Sequence, residues 1–449
     1  MKSRSTTFRL AAIATAGVLA LSACGGGDEA DDESSSSDGS SSTAAETSED
    51  FTNDVCEGGT TSADTFKAGG ILPITGNLAF LGPPEIAGVG LAVNDINAAG
   101  GVGGADACHQ IEDSGDATDL SIAQASAGNL VSSDVSVVVG AASSSVTEGV
   151  VQTFTDAGVV QISPANTAVS LSGVSPFYFR TAPPDTIQGN ALGNLIASDG
   201  YSRVAFITFS DTYGTGLRDV VQETIEASGG ECTYGCTGDG DEFPPGETQL
   251  GTTVQAAVDS NPDAIVVLAF DETKAIVPAL DATGFDMSKT YYTDGNTASY
   301  EEDFEPGVME GAQGTIPGAD ASEEFKSRAS GWAEVGGDGP LSDYSYTAES
   351  YDATILAALA AVKGGSTDSQ TIRDNLVAVS GGTDGEECTT YADCVELLDG
   401  GSEISYTGPS GIGPLNEDGD PTSAFIGIYS FDENNVNVFQ STVEGALAE

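Results

Sequence analysis

Positive charge is scarce. The chain has 13 Lys+Arg against 69 Asp+Glu, a formal charge of −56. That balance excludes nucleic acid or an anionic membrane surface as a partner, because both need a basic footprint. Histidine is nearly absent: His109 stands alone, so no chemistry that needs several imidazoles is available. No Gly-x-Ser-x-Gly elbow, phosphate-binding Gly-rich loop or His-Glu-x-x-His pair occurs. A Ser-His-Asp arrangement would have to recruit His109, next to a cysteine expected in a disulfide. No enzymatic activity and no cofactor or metal are expected.

What is present is a long chain with an ordinary apolar share. The 449 residues are 39% hydrophobic, enough for two or three domains with real cores. Lys2, Arg4 and Arg9 precede the apolar stretch from Leu10 to Leu21, too short to span a bilayer and of signal-peptide length. It runs into Leu21-Ser22-Ala23-Cys24, which resembles a bacterial lipobox. Residues 1–23 are therefore expected to be a signal peptide, and Cys24 the lipidated first residue of the mature chain. Losing three bases and no acid would take the charge from −56 to −59. Residues 24–64 are rich in Gly, Ser, Thr and acid, with nine carboxylates from Asp28 to Asp50 and no base. Such a segment buries too little apolar surface to offset its ordering entropy, and is expected to be an extended tether. The expected location is outside the cytoplasm, on the cell membrane through lipid alone.

Six cysteines remain after Cys24. An exported chain sits where disulfides persist. Cys232–Cys236 and Cys388–Cys394 would each close a local loop, leaving Cys56–Cys108 by elimination. A zinc site at Cys232 and Cys236 lacks further ligands at a workable spacing.

The body alternates two periodicities. Apolar runs at Ile71–Ile74, Val135–Val139, Val159–Ile162, Val204–Phe209, Ala264–Phe270 and Thr290–Thr293 predict buried strands. Helical stripes lie between them: Ile86, Val89, Val93 and Ile96 before Gly100-Gly101; Leu217, Val220, Val221 and Ile225; Ile276, Val277 and Leu280 before Gly284; Tyr351, Ile355, Leu359 and Val362 before Gly364-Gly365. This pattern predicts an α/β fold with parallel sheets, packaged as two lobes. Ligands of such sheets lie beyond the strand carboxyl ends. Those positions carry Ser143-Ser144-Ser145 and Ser163-Pro164-Ala165-Asn166-Thr167 in the first half, and Tyr213, Asp271 and Asp294 in the second. Hydroxyls and N–H groups at helix starts suit a carboxylate, although helix capping is the commoner use of such residues. With carboxylates and a ring opposite, a zwitterion with an apolar side chain fits the division.

These stretches resemble a known family, the extracytoplasmic solute-binding proteins of branched-chain amino acid ABC transporters. The resemblance covers roughly residues 66–440. It rests on Leu72-Pro73-Ile74-Thr75-Gly76, on Gly88 to Val102, on Ile162 to Thr167, on Phe179-Arg180-Thr181-Ala182-Pro183, on Asp211 to Leu217, and on Gly408 to Gly411 with Asn416 to Asp420. It implies a type I periplasmic-binding-protein fold: two Rossmann-like lobes joined by three crossovers, closing on ligand. Residues 65–182 with 320–411 would form the first lobe, and 183–319 with 412–449 the second. By position the ligand carboxylate would meet Ser144, Ala165 and Thr167, with Ser143 beside them. Asp294 would hold the ammonium, where many relatives have Glu, and Tyr213 would close over the ligand. Either Phe270 or Asp271 would add a contact. The implied partners are a small solute and an ABC permease with its ATPase; a monomer is expected. Short amides or aromatic acids as ligands, and a sensing role on the same fold, stay open.

The acidity calls for its own reading. Nine of the carboxylates lie between Asp28 and Asp50, so most of the charge lies on the body. A surface adapted to a saline exterior, where screening relieves self-repulsion, is the expectation. Asp239 to Glu242 and Asn416 to Asp420 do not fit the twelve-residue EF-hand loop, and are read as turns.

Overall fold

The computed structural model describes residues 50–56 and 64–447, and these belong to one unit beginning at Asp50. The proposed signal peptide, Cys24 and most of the proposed tether lie outside the described residues.

The strands are β1 (Lys67–Leu72), β2 (Cys108–Asp113), β3 (Val137–Gly140), β4 (Val160–Ser163), β5 (Tyr178–Arg180), β6 (Arg203–Thr208), β7 (Glu231–Tyr234), β8 (Ala264–Leu268), β9 (Thr290–Tyr292), β10 (Gln313–Pro317), β11 (Glu386–Cys388), β12 (Ile404–Tyr406), β13 (Ser423–Phe431) and β14 (Asn437–Ala446). The helices are α1 (Gly82–Ala98), α2 (Ser121–Ser132), α3 (Ser144–Ala157), α4 (Asp185–Ser198), α5 (Thr212–Ala227), α6 (Gly251–Asp259), α7 (Thr273–Thr283), α8 (Glu323–Gly336), α9 (Thr347–Gly364), α10 (Ser369–Val379) and α11 (Tyr391–Asp399).

One sheet runs β2-β1-β3-β4-β5, all parallel. The other runs β14-β13-β10-β9-β8-β6-β7, parallel from β7 to β10 and antiparallel through β13 and β14. Parallel strands covered on both faces read as continuous apolar runs, and β3, β4 and β8 are buried along their whole length. The first strand differs from the run at Ile71–Ile74: it occupies Lys67–Leu72, and Ile74 is exposed. Gly69-Gly70 hide it from an apolar count, and a Cβ at Gly70 would lie 2.6 Å from Ile111 Cδ1.

Each lobe has its own core. In the first, α1 and α9 pack on β1, β3 and β4, with α8 against α1, while α2 and α3 cover the other face. Gly90 allows α1 to meet α8, since a Cβ there would sit 1.9 Å from the Trp332 ring. In the second, α4 and α5 pack together on one side of the sheet and α6 and α7 on the other. Three bridges are present, Cys56–Cys108, Cys232–Cys236 and Cys388–Cys394, with Cα separations of 5.0, 5.8 and 5.3 Å.

Two candidates for chemistry resolve into structure. His109 sits beside Cys108 with its Nε2 2.9 Å from Asn53 Oδ1 and its ring edge-on to Trp332. Burial pushes it down to about 4, with Asp54 opposing. The run Asn416–Asp420 is a turn: Asn416 Oδ1 accepts from the N–H groups of Asp418 and Asp420. Asp420 in turn accepts from Arg180 Nε at 2.6 Å, in a buried ion pair. That pair fastens the end of β5 to the segment entering β13.

Candidate functional site

The strand carboxyl ends of the two lobes face each other across a cleft. On the first-lobe side, two hydroxyl-bearing loops are laced together. Ser163 Oγ and Asn166 Nδ2 both donate to the Ala141 carbonyl, at 2.6 and 2.9 Å, and Asn166 Nδ2 also donates to Thr147 Oγ1 at 2.6 Å. Ser143 caps α3, its Oγ accepting from the Val146 N–H. Ser144 Oγ accepts from the Ala168 N–H at 3.2 Å. Capping therefore explains Ser143, but not Thr167: its Oγ1 is buried with no hydrogen-bond partner.

On the second-lobe side, β9 delivers Asp294 and α5 delivers Tyr213. Asp211 starts α5, its carboxylate accepting from the Tyr213 N–H at 2.9 Å. Tyr213 stacks on Phe270, with centroids 5.5 Å apart, and Phe209 sets its edge against both rings. The Tyr213 hydroxyl donates to Asp294 Oδ1 at 2.6 Å. Gln188 Nε2 adds a bond to the same oxygen at 2.8 Å, and the Tyr346 hydroxyl reaches Oδ2 at 2.6 Å. Burial raises the Asp294 carboxyl, and these three donors pull it back.

Asp185, the first residue of α4, is wholly buried and neither of its oxygens finds a partner. Burial and the neighbouring Asp294 push it up to about 8; the nearby Thr167 hydroxyl, outside bonding geometry, and Arg180 oppose. Arg180 is itself committed to Asp420. Among the described residues, no Lys, Arg or His lines the cleft. It thus combines an acidic wall that lacks a base with a wall of hydroxyls and N–H groups. Leu78, Leu81 and the stacked rings supply the apolar part. The cleft is closed down to ≈ 10 Å³ of free space, about one water. Ser145 Oγ donates to Asp211 Oδ2 across it at 2.6 Å, and Thr212 Oγ1 bonds Glu148 Oε2 at 3.1 Å.

The structure brings Ser143, Ser144, Ala165, Thr167, Tyr213, Phe270 and Asp294 to this one cleft. It does not bring Asp271, which is exposed and pairs with Lys274 at 3.1 Å. The strand ends two residues earlier and Phe270 turns inward, so of the two alternatives Phe270 faces the cleft. Tyr346, Gln188 and Asp185 were missed. Tyr346 lies just ahead of α9, held at a left-handed φ of 60°; no periodicity marks it. Asp185 follows Pro183-Pro184 directly after the first crossover, and an acid at a helix start reads as ordinary capping.

Known proteins share parts of this chain. A leucine-, isoleucine-, valine-, threonine- and alanine-binding protein of Pseudomonas aeruginosa is 35% identical over 170 residues, 37% of this chain and 45% of that protein. The chain thus spans under half the length of that relative. A chemotactic signal transduction substrate-binding protein, BasB of Halobacterium salinarum, is 25% identical over 377 residues, 80% of this chain and 85% of that protein. Among solved structures, the branched-chain amino acid transporter substrate-binding protein LivJ of Streptococcus pneumoniae, in complex with isoleucine, superposes with a TM-score of 0.65. It is 24% identical and covers 85% of this chain and 100% of that one, a likeness of fold. Residues 65–388 match the model of the periplasmic binding proteins, and the chain belongs to that family.

Proposed function

We propose that this protein is the substrate-binding component of an ABC transporter, capturing an aliphatic amino acid, branched-chain by preference, between its lobes. The observation that carries the reading is the buried, base-free pair Asp294 and Asp185 facing the unpartnered Thr167 hydroxyl. A ligand ammonium would supply the missing positive charge, as a charge-assisted bond to Asp294. Its carboxylate would take Ser144 at the start of α3, the Ala165–Thr167 backbone and Thr167 Oγ1. The aliphatic side chain would lie against Leu78, Leu81 and the Tyr213–Phe270 stack. Any solute larger than water must part the present walls, so binding requires an open form that closes on its ligand. The apolar leader and Leu21-Ser22-Ala23-Cys24 support export and anchoring through Cys24, with delivery to a membrane permease.

The test is thermal unfolding against the twenty amino acids, short amides and aromatic acids at fixed salt. A ligand at a hundred times its Kd adds about 2.7 kcal/mol. Shifts confined to Leu, Ile and Val support the reading; a shift with an aromatic acid and none with amino acids sinks it. A sensing role is the second reading, favoured by the long match to BasB. A chemotaxis transducer, rather than a permease, recovered with the liganded protein would decide for it.

A further inference from the structure

Behind the ligand cleft, on the far side of Tyr346, lies a separate cavity of ≈ 260 Å³. Its floor is Glu349, 3% exposed, with its carboxylate against Gly318, where a Cβ would lie 2.1 Å from Oε1. No described side chain donates to that carboxylate; burial and the nearby Asp352 push it up, and only its own backbone N–H opposes them. Asp343 lines the same cavity; its Oδ1 accepts from the Ser345 N–H at 2.7 Å, and no described base pairs with it. Asp320, at the rim, is compensated by Lys326 at 2.6 Å. Lys326 also lines this cavity but is committed to Asp320 and Glu323, so among the described residues Glu349 and Asp343 are left without an ion-pair partner there. Tyr429 lines the cavity together with Asp320, Asp343 and Glu349, and all three acids help push its phenol up. Tyr344, Tyr346 and Phe439 complete the aromatic lining. Deeper still, Glu85 is fully buried with neither oxygen partnered, and its charge is repelled by Glu349.

Burial pushes both carboxyls up, favouring the protonated form, and an ammonium bound between them would favour their ionised form instead. Rings beside carboxylates are the chemistry that selects an organic ammonium over a hydrated metal ion, which wants oxygens on all sides. The volume approaches the range of small-molecule sites. We propose that this cavity is a second ligand site, for a small organic ammonium ion held by Glu349 and Asp343 against the Tyr344, Tyr346 and Tyr429 rings. It does not depend on which solute fills the main cleft.

The test is isothermal titration of the full chain with choline chloride and with tetramethylammonium chloride, at fixed ionic strength. Equal sodium chloride serves as the control for screening of the acidic surface. The expected result is saturable binding of both cations, about tenfold weaker in Glu349→Gln and in Asp343→Asn, and retained in Asp294→Ala. If Glu349→Gln fails to fold, the half-buried loop variant Asp343→Asn carries the comparison. Absence of saturable binding overturns the proposal. So does unchanged affinity in the variant at Glu349 or Asp343, or loss of binding in Asp294→Ala alone, which would put the cation in the main cleft.

Discussion

Asp294 and Asp185 show how a residue's environment, more than its type, makes a site. Asp294 is satisfied by three neutral donors and so can persist as a carboxylate in a closed cleft. Replacing it by Ala would leave a bound ammonium unpaired, at a cost of about 2–5 kcal/mol. Asp294→Ala should therefore weaken ligand binding by roughly 30-fold or more, whereas the exposed Asp241→Ala should leave titration curves unchanged. Asp185 carries a pH dependence. Its folded value is raised to about 8, above the ordinary carboxylate value, so the unfolded chain releases this proton first as pH rises. The stability it contributes is complete below pH ~4 and is lost as pH climbs through about 8. Asp185→Asn should unfold at a higher temperature relative to wild type at pH 9 than at pH 5; a difference independent of pH would remove Asp185 from this role.

At the scale of elements, the apolar runs located the central strands because parallel strands buried on both faces have no polar alternation to confuse them. The same criterion failed at the edges. The strand β14 is mostly exposed, and β2, reading CHQIED, is only partly covered. Backbone pairing to β13 and β1 holds these two, and side-chain composition carries no sign of it. The helix starts were more legible, since Ser143 and Asp211 cap α3 and α5 as their residue types suggest. What the sequence could not say is that these two helix starts meet. Ser145 at the start of α3 bonds the buried Asp211 ahead of α5, one lobe to the other. If the lobes part to admit a ligand, as proposed above, this bond has to break. Ser145→Ala should forfeit about 0.5–1.5 kcal/mol of closure, seen as a two- to tenfold weaker affinity with circular dichroism unchanged.

For the whole molecule, charge is the largest effect that no local contact answers. The 69 carboxylates face 13 bases, and ion pairs such as Arg203–Glu231 and Lys289–Asp286 are exposed on both partners. Exposed pairs contribute little each, so long-range repulsion is left for the solvent to screen. The unfolding midpoint should rise from low salt to molar NaCl, and rise equally in KCl. A flat or falling midpoint would reject screening as the reason the chain tolerates its acidity.

The α/β alternation, the cysteine pairs, and the hydroxyl loops and Asp294 at strand ends can be read from the order of residues, because each is a local pattern of burial, spacing or capping. The composition leaves a single imidazole, His109, and so no chemistry that needs several. That Phe270 and not Asp271 faces the cleft, that Tyr346 and Asp185 join Asp294, and that Glu349 lines a second cavity emerge only from the folded chain. Those choices depend on which way a side chain turns at the end of a strand and on how closely two lobes approach. Both are settled by contacts between residues far apart in the chain, which no run of neighbours records.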